Sequence, residues 1–140
     1  MTPTQTDVSS LIEQYDALFF DSFGVLVDGV DAFPGAVDLV DRMNTEDVNY
    51  FVVTNDASAS LATQIKTFTR QGLSVPVERI VNPGGLIAGY FEQNDLAGSP
   101  TLVLGTQDAK DYTTAAGAKL VELDGDAEPD VVVLGHSGPH

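Results

Sequence analysis

The feature that most limits what this chain can fold into is a recurrence of short, unbroken apolar runs. Ala17 to Phe20, Tyr50 to Val53, Leu102 to Leu104 and Val131 to Leu134 have the length of strands, and each is followed by a polar residue or a glycine. A strand that is apolar without alternation is one buried on both faces, which is the condition of a parallel sheet. Between these runs the apolar residues change to helical spacing, so strand and helix alternate along the chain. That pattern predicts an α/β fold in which a parallel sheet is layered between helices. In such a sheet ligands bind beyond the carboxyl ends of the strands, and Asp21, Thr54, Gly105 and Gly135 all fall there.

The helical stretches are legible in the same way. Behind Pro34-Gly35, the residues Ala36, Val37, Leu39, Val40 and Met43 share a face, while Asp38, Asp41 and Arg42 point to water. Leu61, Ile65 and Phe68 recur at about one turn, with Ser58 or Ser60 as the cap and Gly72 as the stop. Pro83-Gly84 leads into a helix through Leu86, Ile87, Tyr90 and Phe91, and residues 109–118 read as a short, weak helix. Ile80-Val81 is a minor strand.

A length of 140 residues suits one domain with a single core, and an apolar share of 43% is that of a globular protein. Residues 1–135 are expected to form that domain, with 136–140 as a flexible tail or a truncation point. Cysteine is absent, which removes disulfides, thiolate metal sites and cysteine nucleophiles. No apolar run approaches the roughly 18–20 residues of a membrane helix. Met1 to Ser10 lacks the basic-then-apolar layout of a signal peptide, so a cytoplasmic location is expected. Six Lys and Arg against 21 Asp and Glu leave a net charge of −15. Such a surface repels nucleic acid and anionic membranes, and neither is expected as a partner. A well-solvated acidic surface is the plain reading of that charge; adaptation to high salt is the sharper one.

Two strand ends carry residues with chemistry. In Phe19-Phe20-Asp21-Ser22-Phe23-Gly24-Val25-Leu26 an apolar strand delivers a carboxylate to the crevice before a glycine turn. That suits a nucleophile or a metal ligand, although an Asp also ends strands with a local turn bond. In Phe51-Val52-Val53-Thr54-Asn55-Asp56 a hydroxyl and backbone amides precede a helix, where they can hold an anionic oxygen. An ordinary strand-to-helix turn capped by Asn55, Asp56 or Ser58 would look the same.

Taken with Phe33-Pro34-Gly35-Ala36 between them and Pro129-Asp130-Val131-Val132-Val133-Leu134-Gly135 behind, these segments resemble the haloacid dehalogenase superfamily. The closest likeness is to its phosphatase branch, whose cap domain is inserted late in the chain. The resemblance implies a three-layer Rossmann-like core, incomplete and without its cap, and a chain that is the front half of a longer hydrolase. It implies that Asp21 attacks phosphorus to form an aspartyl-phosphate. It further implies that Asp21 and the backbone carbonyl of Phe23 bind Mg²⁺, and that Thr54 and Asn55 hold the phosphoryl group of a small phosphorylated substrate. A carboxylate is a competent nucleophile once the phosphate charge is neutralised.

The sequence departs from that family in two places. Position 23, where the phosphatases carry a general acid, is Phe, and general acid catalysis is worth roughly 10²–10⁴-fold. Ser22 cannot replace it, because successive residues point to opposite faces. The later lysine and acidic pair have no counterpart here: Lys66, Lys110 and Lys119 fall on helices or helix ends. Weak Mg²⁺ binding and weak or absent activity are therefore expected of this chain. An open sheet edge and half-core surface would also invite a homodimer.

Other readings fit less of the sequence. A non-catalytic descendant that binds a phosphorylated ligand or a protein draws support from Phe23. A dehalogenase tolerates an aromatic at that position, but needs a cap where only residues 22–34 separate Asp21 from Gly35. A phospho-receiver domain needs an acidic pair where Asp21 stands alone. Pro83-Gly84-Gly85 with Gly89 lacks the lysine of a phosphate loop and suits a closely packed helix start. His136 and His140 could bind a metal, but suit a polar tail better.

Overall fold

A computed structural model describes residues 6–135, so the 136–140 tail with His136 and His140 lies outside the described residues. Among the described residues, eleven α-helices and strands follow in order: α1 (Val8–Gln14), β1 (Leu18–Phe20), α2 (Ala36–Thr45), β2 (Tyr50–Val53), α3 (Leu61–Arg70), β3 (Ile80–Val81), α4 (Pro83–Gln93), β4 (Pro100–Leu104), α5 (Gln107–Ala115), β5 (Lys119–Val121) and β6 (Val131–Leu134), with a single 3-10 turn at Val77–Arg79 before β3. They form two hydrogen-bonded ladders of three strands, ordered β1-β2-β3 and β5-β4-β6. The chain groups into two compact units, Met1–Val53 with Thr67–Ile80 and Thr54–Lys66 with Val81–His140.

In the first unit β1 and β2 are parallel, with Leu18 opposite Tyr50, Phe19 opposite Phe51 and Phe20 opposite Val52. The alternation of a strand then separates two faces. Leu18, Phe20, Tyr50 and Val52 lie on the first, where Tyr50 and Val52 are fully buried and the Phe20 and Tyr50 rings meet edge to face. Val40 and Met43 of α2, Phe68 of α3, and Leu73 and Ile80 complete this core. Phe19, Phe51 and Val53 lie on the second face, where Phe19 is 70% exposed and its ring stacks on Phe51 at 5.6 Å.

The buried Tyr50 fixes the lower end of β2. Its hydroxyl donates to Asn44 Oδ1 at 2.8 Å, and burial raises its pKa. The Arg79 guanidinium sits 4.7 Å above the ring and donates to the carbonyls of Val48 and Tyr50. One cation thereby hydrogen-bonds two carbonyls at the start of β2 and adds a cation–π contact.

In the second unit β4 is central and parallel to both neighbours. Val103, Ala109, Ala118 and Phe91 form its core with the buried hydroxyls of Thr101 and Thr113. Gly105 and Gly135 follow β4 and β6 where the space is filled: a Cβ on Gly135 would collide with that of Ala109, and one on Gly105 would lie 2.8 Å from Gly135 Cα. Two elements have no counterpart in the sequence reading. The helix α1 is capped by Asp7, whose carboxylate accepts from the Ser10 N–H, and β5 is a three-residue edge strand beginning at a lysine. The helix expected over 109–118 runs from Gln107 to Ala115, because the Thr106 hydroxyl caps it earlier.

Candidate active site

Asp21 leaves β1 at its carboxyl end and is exposed. One carboxylate oxygen accepts the Ser22 N–H at 2.7 Å, which fixes the side chain at the mouth of the strand. The chain then folds tightly back. The Ser22 carbonyl accepts from Leu26 at 2.9 Å and Val27 at 3.1 Å, and Gly24 donates to the Val27 carbonyl at 2.8 Å. Gly24 takes φ +82° in this turn, a left-handed conformation that glycine adopts without strain.

The turn sorts its side chains. Ser22 is buried, as are Leu26 and Val27, whereas Phe23 is 70% exposed with its ring against Gly29. No proton donor therefore stands at position 23. Beyond it, the Asp28 carboxylate accepts from the amides of Val30 and Asp31, both at 2.9 Å, and these bonds hold its pKa below the usual carboxylate range.

Thr54 and Asn55 open the second unit directly after β2. The Thr54 N–H pairs with the Val81 carbonyl at 3.0 Å, and its hydroxyl oxygen accepts the Asp56 N–H at 3.2 Å. Accepting in this way leaves the hydroxyl proton free to donate to an anionic oxygen. Asn55 is exposed beside it. Asp56 accepts from Ser58 N at 2.8 Å, and the Ser60 hydroxyl accepts from Thr63 N at 3.2 Å, so Ser60 rather than Ser58 caps α3.

What holds the 54–60 loop was not visible in the sequence. Three side chains of the α5 segment reach it: the Thr106 hydroxyl donates to the Ser58 carbonyl at 2.6 Å, Asp108 accepts from Ser60 N at 2.9 Å, and the Tyr112 hydroxyl donates to the Ala57 carbonyl at 2.8 Å. Hydrogen bonds from Thr63 and then Ser60 depress the pKa of Asp108, while burial raises that of Tyr112. The only sequence signal was local, a capping Thr106 followed by an acid in the first helical turn. Helix α4 starts against the same loop. Asn82 caps it and donates to the Ala59 carbonyl, and a Cβ on Gly84 would lie 2.9 Å from the Tyr112 ring. Pro83-Gly84-Gly85 is thus a packing feature against Ala59 and Tyr112.

For a divalent cation, the first unit offers the Asp21 carboxylate and the Phe23 carbonyl. No cluster of three acidic or histidine side chains occurs among the described residues. Two oxygens fall short of the octahedral shell that Mg²⁺ requires, so these residues alone do not make a complete site. No helix among the described residues is long and apolar enough to cross a membrane.

A family model described as haloacid dehalogenase-like hydrolase matches residues 18–119. Among solved structures, a possible sugar phosphatase of the same superfamily from Cytophaga hutchinsonii is 27% identical with a TM-score of 0.77, and the match covers 94% of this chain and 48% of that one. A glycerol phosphate phosphatase from Mycobacterium tuberculosis, solved with magnesium and with calcium, is 25% identical with a TM-score of 0.72 and covers 90% of this chain and 37% of that one. A Caenorhabditis elegans chain that bears the name NipSnap protein is 26% identical over 115 residues, 79% of this chain and 22% of its own. The chain thus spans less than half the length of each of these relatives. The fold is α/β, with parallel strands and helices that match these Rossmann-like relatives and an incomplete core.

Proposed function

The chain belongs to the haloacid dehalogenase-like hydrolase family, and on that premise we propose that Asp21 is the nucleophile of a phosphate-ester hydrolase whose front half this is. Its carboxylate oxygen attacks phosphorus, the bond to the leaving oxygen breaks, and water then hydrolyses the acyl phosphate to return Asp21 and release phosphate. Thr54, with its free hydroxyl proton, and Asn55 hold the phosphoryl oxygens of a small substrate. Asp21 and the Phe23 carbonyl are the first two ligands of a Mg²⁺ ion, which neutralises phosphate charge when bound. The remaining ligands must come from outside the described residues, so binding by this chain is weak. Related structures that contain magnesium or calcium support the choice of a divalent metal.

One observation carries the proposal. β1 and β2 are parallel and in register from Leu18 with Tyr50 to Phe20 with Val52. Asp21 therefore leaves its strand at the end where Val53 leads into Thr54, the end at which parallel sheets bind ligands. Phe23 then limits the chemistry. With no proton for the leaving oxygen, alkyl phosphates suffer most, and aryl or acyl phosphates, whose leaving groups need none, suffer least.

The test is turnover of p-nitrophenyl phosphate by the complete protein with and without Mg²⁺. Asp21→Asn abolishes it; full activity in that variant refutes the assignment of the nucleophile. The exposed ring at position 23 also favours a second reading, a descendant that binds a phosphorylated ligand without turnover. Calorimetric binding of such a ligand with no hydrolysis across a phosphatase panel would support that reading instead.

A further inference from the structure

The loop that joins β2 to α3, residues 54–60, is held by more bonds than a strand-to-helix turn requires. Capping α3 needs only the Ser60 hydroxyl, which accepts from Thr63 N. Yet four successive residues are each bonded by a side chain from elsewhere in the second unit. The Tyr112 hydroxyl donates to the Ala57 carbonyl at 2.8 Å, Thr106 to the Ser58 carbonyl at 2.6 Å and Asn82 to the Ala59 carbonyl at 3.0 Å, while Asp108 accepts from Ser60 N at 2.9 Å. Thr106 caps α5, which carries Asp108 and Tyr112, and Asn82 caps α4, so the partners stand on two helices. Two glycines leave room for Tyr112. A Cβ on Gly84 would lie 2.9 Å from its ring, and one on Gly135 would lie 3.4 Å from its hydroxyl and 3.5 Å from the Ala57 carbonyl oxygen.

A relay of bonds carries that restraint to Thr54. Ser58, held at its carbonyl by Thr106, donates its N–H and its hydroxyl to the Asp56 carboxylate. Asp56 donates its N–H to the Thr54 hydroxyl oxygen at 3.2 Å, and the Thr54 N–H is fixed on the Val81 carbonyl at 3.0 Å. With one lone pair of the hydroxyl occupied, the direction left to its proton depends on where the Asp56 amide stands. We propose, on the reading of Thr54 and Asn55 as phosphoryl-holding residues, that Tyr112 and Thr106 are positioning residues whose hydroxyls set the anion affinity of the loop. Ordering these side chains costs conformational entropy, and α3 is capped without them. What they add is preorganisation: a loop already in its binding shape loses no affinity to rearrangement when the anion arrives.

The two hydroxyls are uncharged, so their influence on an anion is geometric and not coulombic, and added salt does not screen it. Asp108 also holds the loop, but its carboxylate would act on an anion through its charge as well. Tyr112 and Thr106 therefore isolate the effect of shape.

The experiment measures, in the complete protein with Mg²⁺, the calorimetric Kd of inorganic phosphate and the KM and kcat for p-nitrophenyl phosphate. Tyr112→Phe deletes the hydroxyl and keeps the ring beside Gly84. It raises Kd and KM by about threefold to tenfold, the effect of one hydrogen bond, and leaves kcat within about twofold. The same ratio of variant to parent Kd persists in about 0.5 M salt. Thr106→Val raises Kd and KM by a similar factor, and Thr106→Ser, which keeps the hydroxyl, restores them to within about twofold of the parent. Asp7→Ala uncaps α1 in the first unit and lowers Tm, yet leaves both constants unmoved, so lost stability is not the cause. Equal Kd values in the parent, Tyr112→Phe and Thr106→Val overturn the proposal and leave the phosphoryl reading intact. So does a Thr106→Ser variant that binds as poorly as the valine. A parent that binds no phosphate removes the phosphoryl reading itself, and the proposal with it. If Tyr112→Phe does not fold, the two Thr106 variants decide.

Discussion

Helix α4 carries Gly84, Gly85 and Gly89, and Gly→Ala is expected to have opposite signs at its two ends. At Gly89 a Cβ meets nothing within 4 Å, so alanine adds no clash. It relieves the entropic cost of a mid-helix glycine, which stabilises by about 0.8–1 kcal/mol. At Gly84 a Cβ lies 2.9 Å from Tyr112 Cδ1 and 3.1 Å from the Ala59 carbonyl oxygen. The oxygen is backbone, and the ring is tethered by its hydroxyl to the Ala57 carbonyl, so neither gives way freely. Overpacking of this kind costs about 1–3 kcal/mol, against which the propensity gain in the first turn is at most about 1 kcal/mol. The net is a loss of about 1 kcal/mol at the middle of that range, and the two variants should differ by about 2 kcal/mol. For a chain of this length 1 kcal/mol is about 3 °C in Tm. Thermal and urea unfolding followed by circular dichroism should therefore place Gly89→Ala about 3 °C above the parent and Gly84→Ala about 3 °C below it. If Gly84→Ala stabilises the protein, or both variants move together, the close packing of α4 on Tyr112 and Ala59 is wrong.

Phe23→Asp restores a proton donor two residues after Asp21, and in the complete protein it should raise turnover of alkyl phosphates by up to roughly 10²–10⁴-fold with little change for aryl phosphates; no change for either would remove the general-acid argument. Asp108 has a lowered pKa, so the stability it contributes is present above the ordinary carboxylate pKa and is lost as pH falls through its lower folded value. Asp108→Asn should accordingly flatten the acid limb of the stability curve below about pH 4, and an unchanged limb would show that the bonds from Thr63 and Ser60 are not made in solution. If the charge of −15 is an adaptation to salt, molar potassium chloride should raise Tm; a constant or lower Tm refutes it.

Much of the architecture was legible because strand burial is written into local composition. The runs before Asp21, Thr54, Gly105 and Gly135 became β1, β2, β4 and β6, and the spacing of Ala36, Val40 and Met43 became the buried face of α2. β5 is not legible in the sequence, because three residues beginning at Lys119 carry too little apolar signal to stand out from a loop. The helix start at Gln107 leaves no mark in the hydrophobic spacing, because the capping Thr106 acts through a hydrogen bond. The ties from Thr106, Asp108 and Tyr112 to the loop after Thr54 span 48, 48 and 55 residues, so no local pattern could announce them.

What the amino-acid order determined unaided is the alternation of strand and helix and the delivery of Asp21, Thr54 and Asn55 to strand ends, since these depend on neighbours within a few residues. Tertiary structure alone decided which distant side chains pin the loop after Thr54, why Gly84 and Gly135 admit no larger residue, and which face of β1 and β2 lies open. Phe19 and Phe20 are adjacent and chemically alike. One is exposed and the other packs on Tyr50 because the handedness of the crossover helices, a property of the folded chain, covers only one side of the strand.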